Sequence, residues 1–135
     1  LSFTTEEIFI LINKDKKSIH LEEFMEFPKK FENEKLNKKW IELKKIRDIC
    51  NVSIEEKRAN KEIGSSLEAN LTININEELF KIIKNIDFAE LCITSSANIV
   101  KFETSITSVK TIKAEGEKCP VCWKINKNGC NRHSV

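Results

Sequence analysis

Ser65 to Ile86 reads SSLEANLTININEELFKIIKNI, and two periodicities meet inside it. Leu67, Ala69, Leu71, Ile73 and Ile75 alternate with Glu68, Asn70, Thr72 and Asn74. A period of two puts the first set on one face of a strand and the second on the other, so this spacing predicts a half-buried β-strand. At Asn76 the period lengthens. Leu79, Ile82, Ile83 and Ile86 fall on one side of a helix, Asn76 is a cap candidate, and a short helix should return the chain across the sheet. The segments around Ala89 to Thr94 and Ile106 to Lys113 read as further strands, which makes the class α+β.

Upstream of Gly64 the pattern is helical. Leu36, Trp40, Leu43, Ile46, Cys50 and Ile54 form a continuous apolar stripe, predicting a long amphipathic helix from Glu34 that Gly64 stops. Lys38, Lys39, Lys44, Lys45 and Arg47 occupy its other positions, diluted by Glu42, Asp48, Glu55 and Glu56, so the basic content reads as a solvated face. The opening stretch LSFTTEEIFILINKD is apolar and helix-forming, with Ser2, Thr4 or Thr5 as cap candidates and Glu6 and Glu7 in the first turn. It lacks an initiating methionine and reads as cut from a longer chain. Asn13 to Pro28 is loop-like, and His20, between Ile19 and Leu21 with no nucleophile or second histidine beside it, reads as a buried or half-buried structural histidine.

A chain of 135 residues accommodates one domain or two small adjoining ones. With 40% hydrophobic and 33% charged residues it is globular and charge-rich, which excludes disorder throughout. A net charge of +2 does not by itself announce nucleic acid, so local clusters must decide. Twenty lysines against three arginines reflects a coding bias and no functional tract. The five cysteines are odd in number, with Cys50 and Cys92 isolated in apolar surroundings and the others in C-x-x-C spacing. That usage favours a reducing, cytoplasmic compartment and a metal site over a disulfide framework. No apolar run is long enough to cross a bilayer and no signal pattern opens the chain, so a soluble protein is expected.

The remaining cysteines gather in EKCPVCWKINKNGCNRHSV, Glu117 to Val135. Cys119, Cys122, Cys130 and His133 give C-x2-C-x7-C-x2-H. Each pair suits one turn that aims two donors at a tetrahedral Zn²⁺, and Gly129 permits the bend that brings the second pair round. Four protein ligands close the coordination sphere, so one zinc per chain would be structural, not catalytic. A redox C-x-x-C would leave Cys130 and His133 unexplained, and unmetallated thiols are the bland alternative. Lys118, Lys124, Lys127 and Arg132 surround the site and suit phosphate contacts. Trp123 either stacks on an unpaired base or covers the metal, and covering is the reading preferred from sequence.

The segments LSFTTEEIF, SIHLEEF, KWIELKKIRDICNVSIEEKRANKEIGSSLEANLTI and GEKCPVCW with its downstream CNRHSV resemble, in that order, the C-terminal portion of bacterial isoleucyl-tRNA synthetases. The resemblance covers essentially the whole chain. It implies that residues 1–63 end a helical anticodon-binding domain, 64–114 form a small α+β domain and 115–135 a zinc-finger-like tail. It also implies that this tail approaches the anticodon arm of tRNA, where the residues around the site, Lys118, Trp123, Lys124, Lys127 and Arg132, are the expected contacts, with the rest of the synthetase chain as second partner. In the family, ATP and Mg²⁺ serve a distant catalytic domain; only Gly64, Gly116 and Gly129 occur here, no Gly-rich phosphate loop appears, and no catalytic residue is expected. The family commonly carries cysteine where His133 stands and a longer spacer before Cys130. Two other classes compete: an independent zinc-binding nucleic-acid module, such as the finger ending certain DNA glycosylases, and a structural or protein-interaction domain.

Overall fold

In the computed structural model the described residues are 2–15, 17–103 and 106–133. The chain divides into two compact units, Leu1–Asn33 and Glu34–Val135. In the first, helix α1 spans Ser2–Ile12 and a 3-10 turn spans Ile19–Leu21. The helix is already under way at Thr4 and Thr5, so neither caps it: the Thr5 hydroxyl donates to Ser2 O at 2.9 Å. Glu6 lies beyond the first turn and instead accepts the Ile19 N–H at 2.9 Å, tying the 3-10 turn to α1. His20 is exposed, contrary to the sequence expectation, because the tight turn tucks Ile19 partly inward and leaves His20 and Leu21 outside. No described residue of this unit is buried.

The second unit is built on α2, Glu34–Ala59, packed against a three-stranded sheet. The strands are β1 (Ala69–Ile75), β2 (Ser96–Lys101) and β3 (Ser108–Lys113), in spatial order β2-β1-β3. β1 pairs parallel with β2 and antiparallel with β3. A parallel neighbour requires a crossover, which α3 (Glu77–Ile83) and α4 (Phe88–Leu91) supply. From Ala69 the expected alternation holds: Ala69, Leu71, Ile73 and Ile75 are buried, while Asn70, Thr72 and Asn74 lie on the other, partly exposed face; Leu67 and Glu68, expected in the strand, lie instead in a 3-10 turn, Ser66–Glu68. Asn76 caps α3, its side chain accepting the Leu79 N–H at 2.9 Å.

Of the α2 stripe, Leu43, Ile46, Cys50 and Ile54 join the core with the inner face of β1, Ile83 and Phe88. Leu36 and Trp40 stay 48% and 41% exposed. A 26-residue helix is about 39 Å long whereas a seven-residue strand reaches about 23 Å, so the helix overhangs its sheet. The Ser53 and Thr111 hydroxyls, 2.7 Å apart, join α2 to β3. Cys50 and Cys92 are separate in sequence yet meet in this core, where the neighbouring Cys92 thiol, then burial, pushes Cys50 far above its ordinary pKa.

Two sequence expectations are corrected by helix ends. Gly64 does not stop α2. The stop is Lys61 at φ 58°, where Lys61 N bonds Arg58 O and Glu62 N bonds Lys57 O, the paired bonds of a Schellman motif. The segment 89–94 is not a strand, since Asp87 accepts the Ala89 and Glu90 N–H groups and starts α4. The same C-terminal motif ends α4 at Ile93, φ 55°, through Ile93 N to Glu90 O and Thr94 N to Ala89 O. The strand begins only at Ser96, and Ile106 likewise precedes β3. A β-branched residue in the left-handed region is strained. Ile93 is 56% exposed, so its side chain contributes little burial. Ile93→Gly is therefore expected to raise stability by about 1 kcal/mol; an unchanged or lowered urea midpoint would refute this.

Candidate metal centre

Strands β4 (Glu117–Lys118) and β5 (Ile125–Asn126) form an antiparallel ribbon whose tip is the C-P-V-C-W turn. The turn closes on itself through Trp123 N to Cys119 O and Cys119 N to Lys124 O, both 2.9 Å, with Trp123 in the left-handed region at φ 65°. Gly116 begins the ribbon at φ 124°, where a Cβ would stand 2.3 Å from the Asn126 backbone. Gly129, at φ 79°, makes the bend expected of it just before Cys130.

The two turns bring Cys119, Cys122, Cys130 and His133 together, with all four ligand atoms within 4.8 Å of one another. Cys122 Sγ lies 3.6 Å from Cys130 Sγ, and His133 Nδ1 lies 3.5 Å from Cys119 Sγ and 3.4 Å from Cys130 Sγ. A tetrahedron with metal–sulfur bonds of about 2.3 Å and metal–nitrogen bonds of about 2.05 Å has edges of about 3.8 Å between sulfurs and about 3.5 Å from sulfur to nitrogen. These three separations fit that figure and the remaining ones stay within 4.8 Å, so these four residues form a possible metal site.

Backbone donors prepare the sulfurs. The N–H groups of Cys122 and Val121 lower Cys119 to about 6, and those of Arg132 and His133, with the His133 ring, lower Cys130. Cys122 receives the Lys124 N–H but is raised overall by desolvation and by its neighbours Cys130 and Cys119. The sulfurs of Cys130 and then Cys119 raise His133. Two sulfurs that favour the thiolate beside groups that hold protons are a proton-sharing cluster whose protons a divalent cation can displace.

Residues outside the motif dock this loop. The Ser95 hydroxyl donates to Leu67 O and accepts Ile125 N–H at 2.6 Å. Glu90 Oε1 pairs with Lys124 and, at 3.0 Å, with Arg132 Nη2; Glu115 pairs with Lys127 at 2.6 Å. Between α4, the start of β2 and the metal loop lies a cleft of about 330 Å³. Trp123 is 59% exposed with the Lys118 ammonium 5.8 Å from its ring centroid, so most of the indole is left uncovered, which speaks against the covering role. Neither Glu90 nor Ser95 is flagged by sequence spacing, since both act on partners some thirty positions away.

No family model matches the chain. An isoleucine-tRNA ligase of Pelagibacter ubique (strain HTCC1062) is 70% identical over 134 residues, covering 99% of this chain and 15% of that protein. The chain matches the C-terminal region of the isoleucine-tRNA ligases. Those of Agrobacterium fabrum and Zymomonas mobilis are 36% and 34% identical over 93% and 92% of the chain. The chain spans 13–15% of the length of these isoleucine-tRNA ligases. Among the described residues, no helix is long and apolar enough to cross a membrane.

Proposed function

We propose that this chain is the tRNA-contacting C-terminal part of an isoleucine-tRNA ligase, held in shape by one structural Zn²⁺ on Cys119, Cys122, Cys130 and His133. The observation that carries the reading is an identity spread over nearly the whole chain. Three thiolates and an imidazole suit Zn²⁺, whereas Mg²⁺ and Ca²⁺ take oxygen ligands. A full set of four ligands orders the loop and leaves no position for a reacting water. In the whole cytoplasmic enzyme, isoleucine would be joined to its tRNA with ATP and Mg²⁺ in a catalytic domain outside these residues. On this reading residues 1–63 close the helical anticodon-binding domain, with α2 packed on the sheet of the small α+β domain formed by 64–114, and 115–135 form the finger.

The finger would meet the anticodon arm, with Lys118, Lys124, Lys127 and Arg132 toward phosphates and the exposed face of Trp123 toward an unpaired base. Titrating the metal-loaded chain with isoleucine tRNA at several salt concentrations tests this. Affinity should fall with salt by a log–log slope of roughly 0.7–0.9 per phosphate contact. Trp123→Ala should weaken binding by about 1–3 kcal/mol and leave that slope unchanged. Salt-insensitive binding, or none at any salt, would favour an interaction domain instead.

A further inference from the structure

The finger's cations are met by carboxylates from outside the cysteine run. One oxygen of Glu90, on α4, holds both the Lys124 ammonium and the Arg132 guanidinium, which flank the first and second ligand pairs. Glu115, just before the ribbon, holds Lys127. A carboxylate between an ammonium and a guanidinium stands where a phosphate oxygen would stand. The two acids are not equivalent. Lys124 is only 16% exposed, so its pair with Glu90 is partly desolvated, whereas Lys127 and Glu115 are 71% and 72% exposed and their pair is weak and easily exchanged. Hydrogen bonds from Lys124 and Lys127 hold the Glu90 and Glu115 carboxyls below the usual range.

We propose that Glu90, assisted by Glu115, is a specificity-determining counter-ion that screens the finger's cations from indiscriminate phosphate binding. This rests on the finger being an RNA contact and deepens that reading. Any RNA must displace the carboxylate before its phosphates reach Lys124 and Arg132. A strand offering phosphates alone exchanges one anion for another and gains little. An RNA that also places a base on Trp123 has a further contact to offset the displacement, so the acids lower non-specific affinity more than specific affinity.

The experiment compares the wild-type chain with Glu90→Gln and Glu115→Gln, each assayed for zinc content and titrated with single-stranded polyuridylate and with isoleucine tRNA. Glu90→Gln should bind polyuridylate on the order of tenfold more tightly at low salt, with a salt slope steeper by about 0.7 per cation released. Glu115→Gln should gain roughly two- to threefold, as expected of an exposed pair. Both should narrow the preference for isoleucine tRNA. A metal-loaded Glu90→Gln chain with unchanged or weaker polyuridylate affinity would overturn the proposal, because a carboxylate that merely positions the cations weakens binding when removed. Should Glu90→Gln lose its metal, Glu115→Gln decides, and no gain there overturns the proposal. A gain on polyuridylate by a chain whose wild type ignores isoleucine tRNA at every salt would sink the tRNA reading and the specificity role with it, leaving only a carboxylate that screens cations.

Discussion

Removing the metal is expected to unfold residues 115–133 while β1 and α2 remain folded. The finger has almost no core: among its described residues only Cys119 is buried, and its ribbon strands are two residues each. So short a segment cannot offset its ordering entropy by apolar burial, and on the proposed reading metal ligation supplies the difference. Zinc-finger peptides draw about 10–16 kcal/mol of apparent binding energy from the ion at pH 7, far more than the Ser95 and Glu90 contacts can replace. Chelation, or Cys119→Ser, should therefore abolish amide protection in β4 and β5 without changing it in β1. Alkylation after chelation should modify Cys119, Cys122 and Cys130 and spare Cys50 and Cys92, which are 0% and 4% exposed. The pH dependence has a definite sign. Cys119 is lowered to about 6, chiefly by the Cys122 N–H, so its contribution is complete above the ordinary thiol value of 9.0 and is lost as pH falls through about 6. Protons also compete with the metal for the same sulfur, so release should steepen on the acid side. Elemental analysis giving no metal in a chain whose tail stays protected would refute the assignment.

What the sequence discloses and what it conceals divide along the range of the interaction. Leu71, Ile73 and Ile75 declare their face because a strand imposes a period of two on its own neighbours, and Asn76 declares a cap because its partner Leu79 is three residues on. The four candidate ligands stand out for the same reason, as two tight pairs that the fold brings within 4.8 Å of one another. Phe88-Ala-Glu-Leu-Cys-Ile is not legible, since a short apolar run fits a strand or a buried helical turn equally well. Asp87 and the left-handed Ile93 decide for the helix, and only backbone geometry shows it. The contacts of Glu90 with Lys124 and of Ser95 with Ile125 cross 34 and 30 positions, and no local pattern records them. The overhang of α2 is a similar case: its stripe runs on through Leu36 and Trp40, but the length of the sheet beneath it is set elsewhere.

The residue in that ambiguous run carries the largest expected core effect. Phe88 is 2% exposed and belongs to the cluster that includes Leu43, Leu71 and Ile83, so Phe88→Ala removes a ring and leaves a cavity. Such truncations cost about 3–5 kcal/mol, against a total stability of about 5–15 kcal/mol for a domain. Phe80 is the informative comparison. It is only partly buried, with the Lys101 ammonium 4.6 Å from its ring centroid, so Phe80→Ala should cost much less. The difference between the two tests whether α4 is a core element or a surface turn. Because α4 also carries Glu90 and leads into Ser95, its loosening should reach the finger, and Phe88→Ala should bind metal more weakly even where the sheet is still folded. Urea unfolding followed by far-ultraviolet circular dichroism, with zinc affinity measured alongside, checks both parts. A Phe88→Ala loss no larger than that of Phe80→Ala would return the segment 88–91 to the surface and remove the mechanical link between the core and the metal loop.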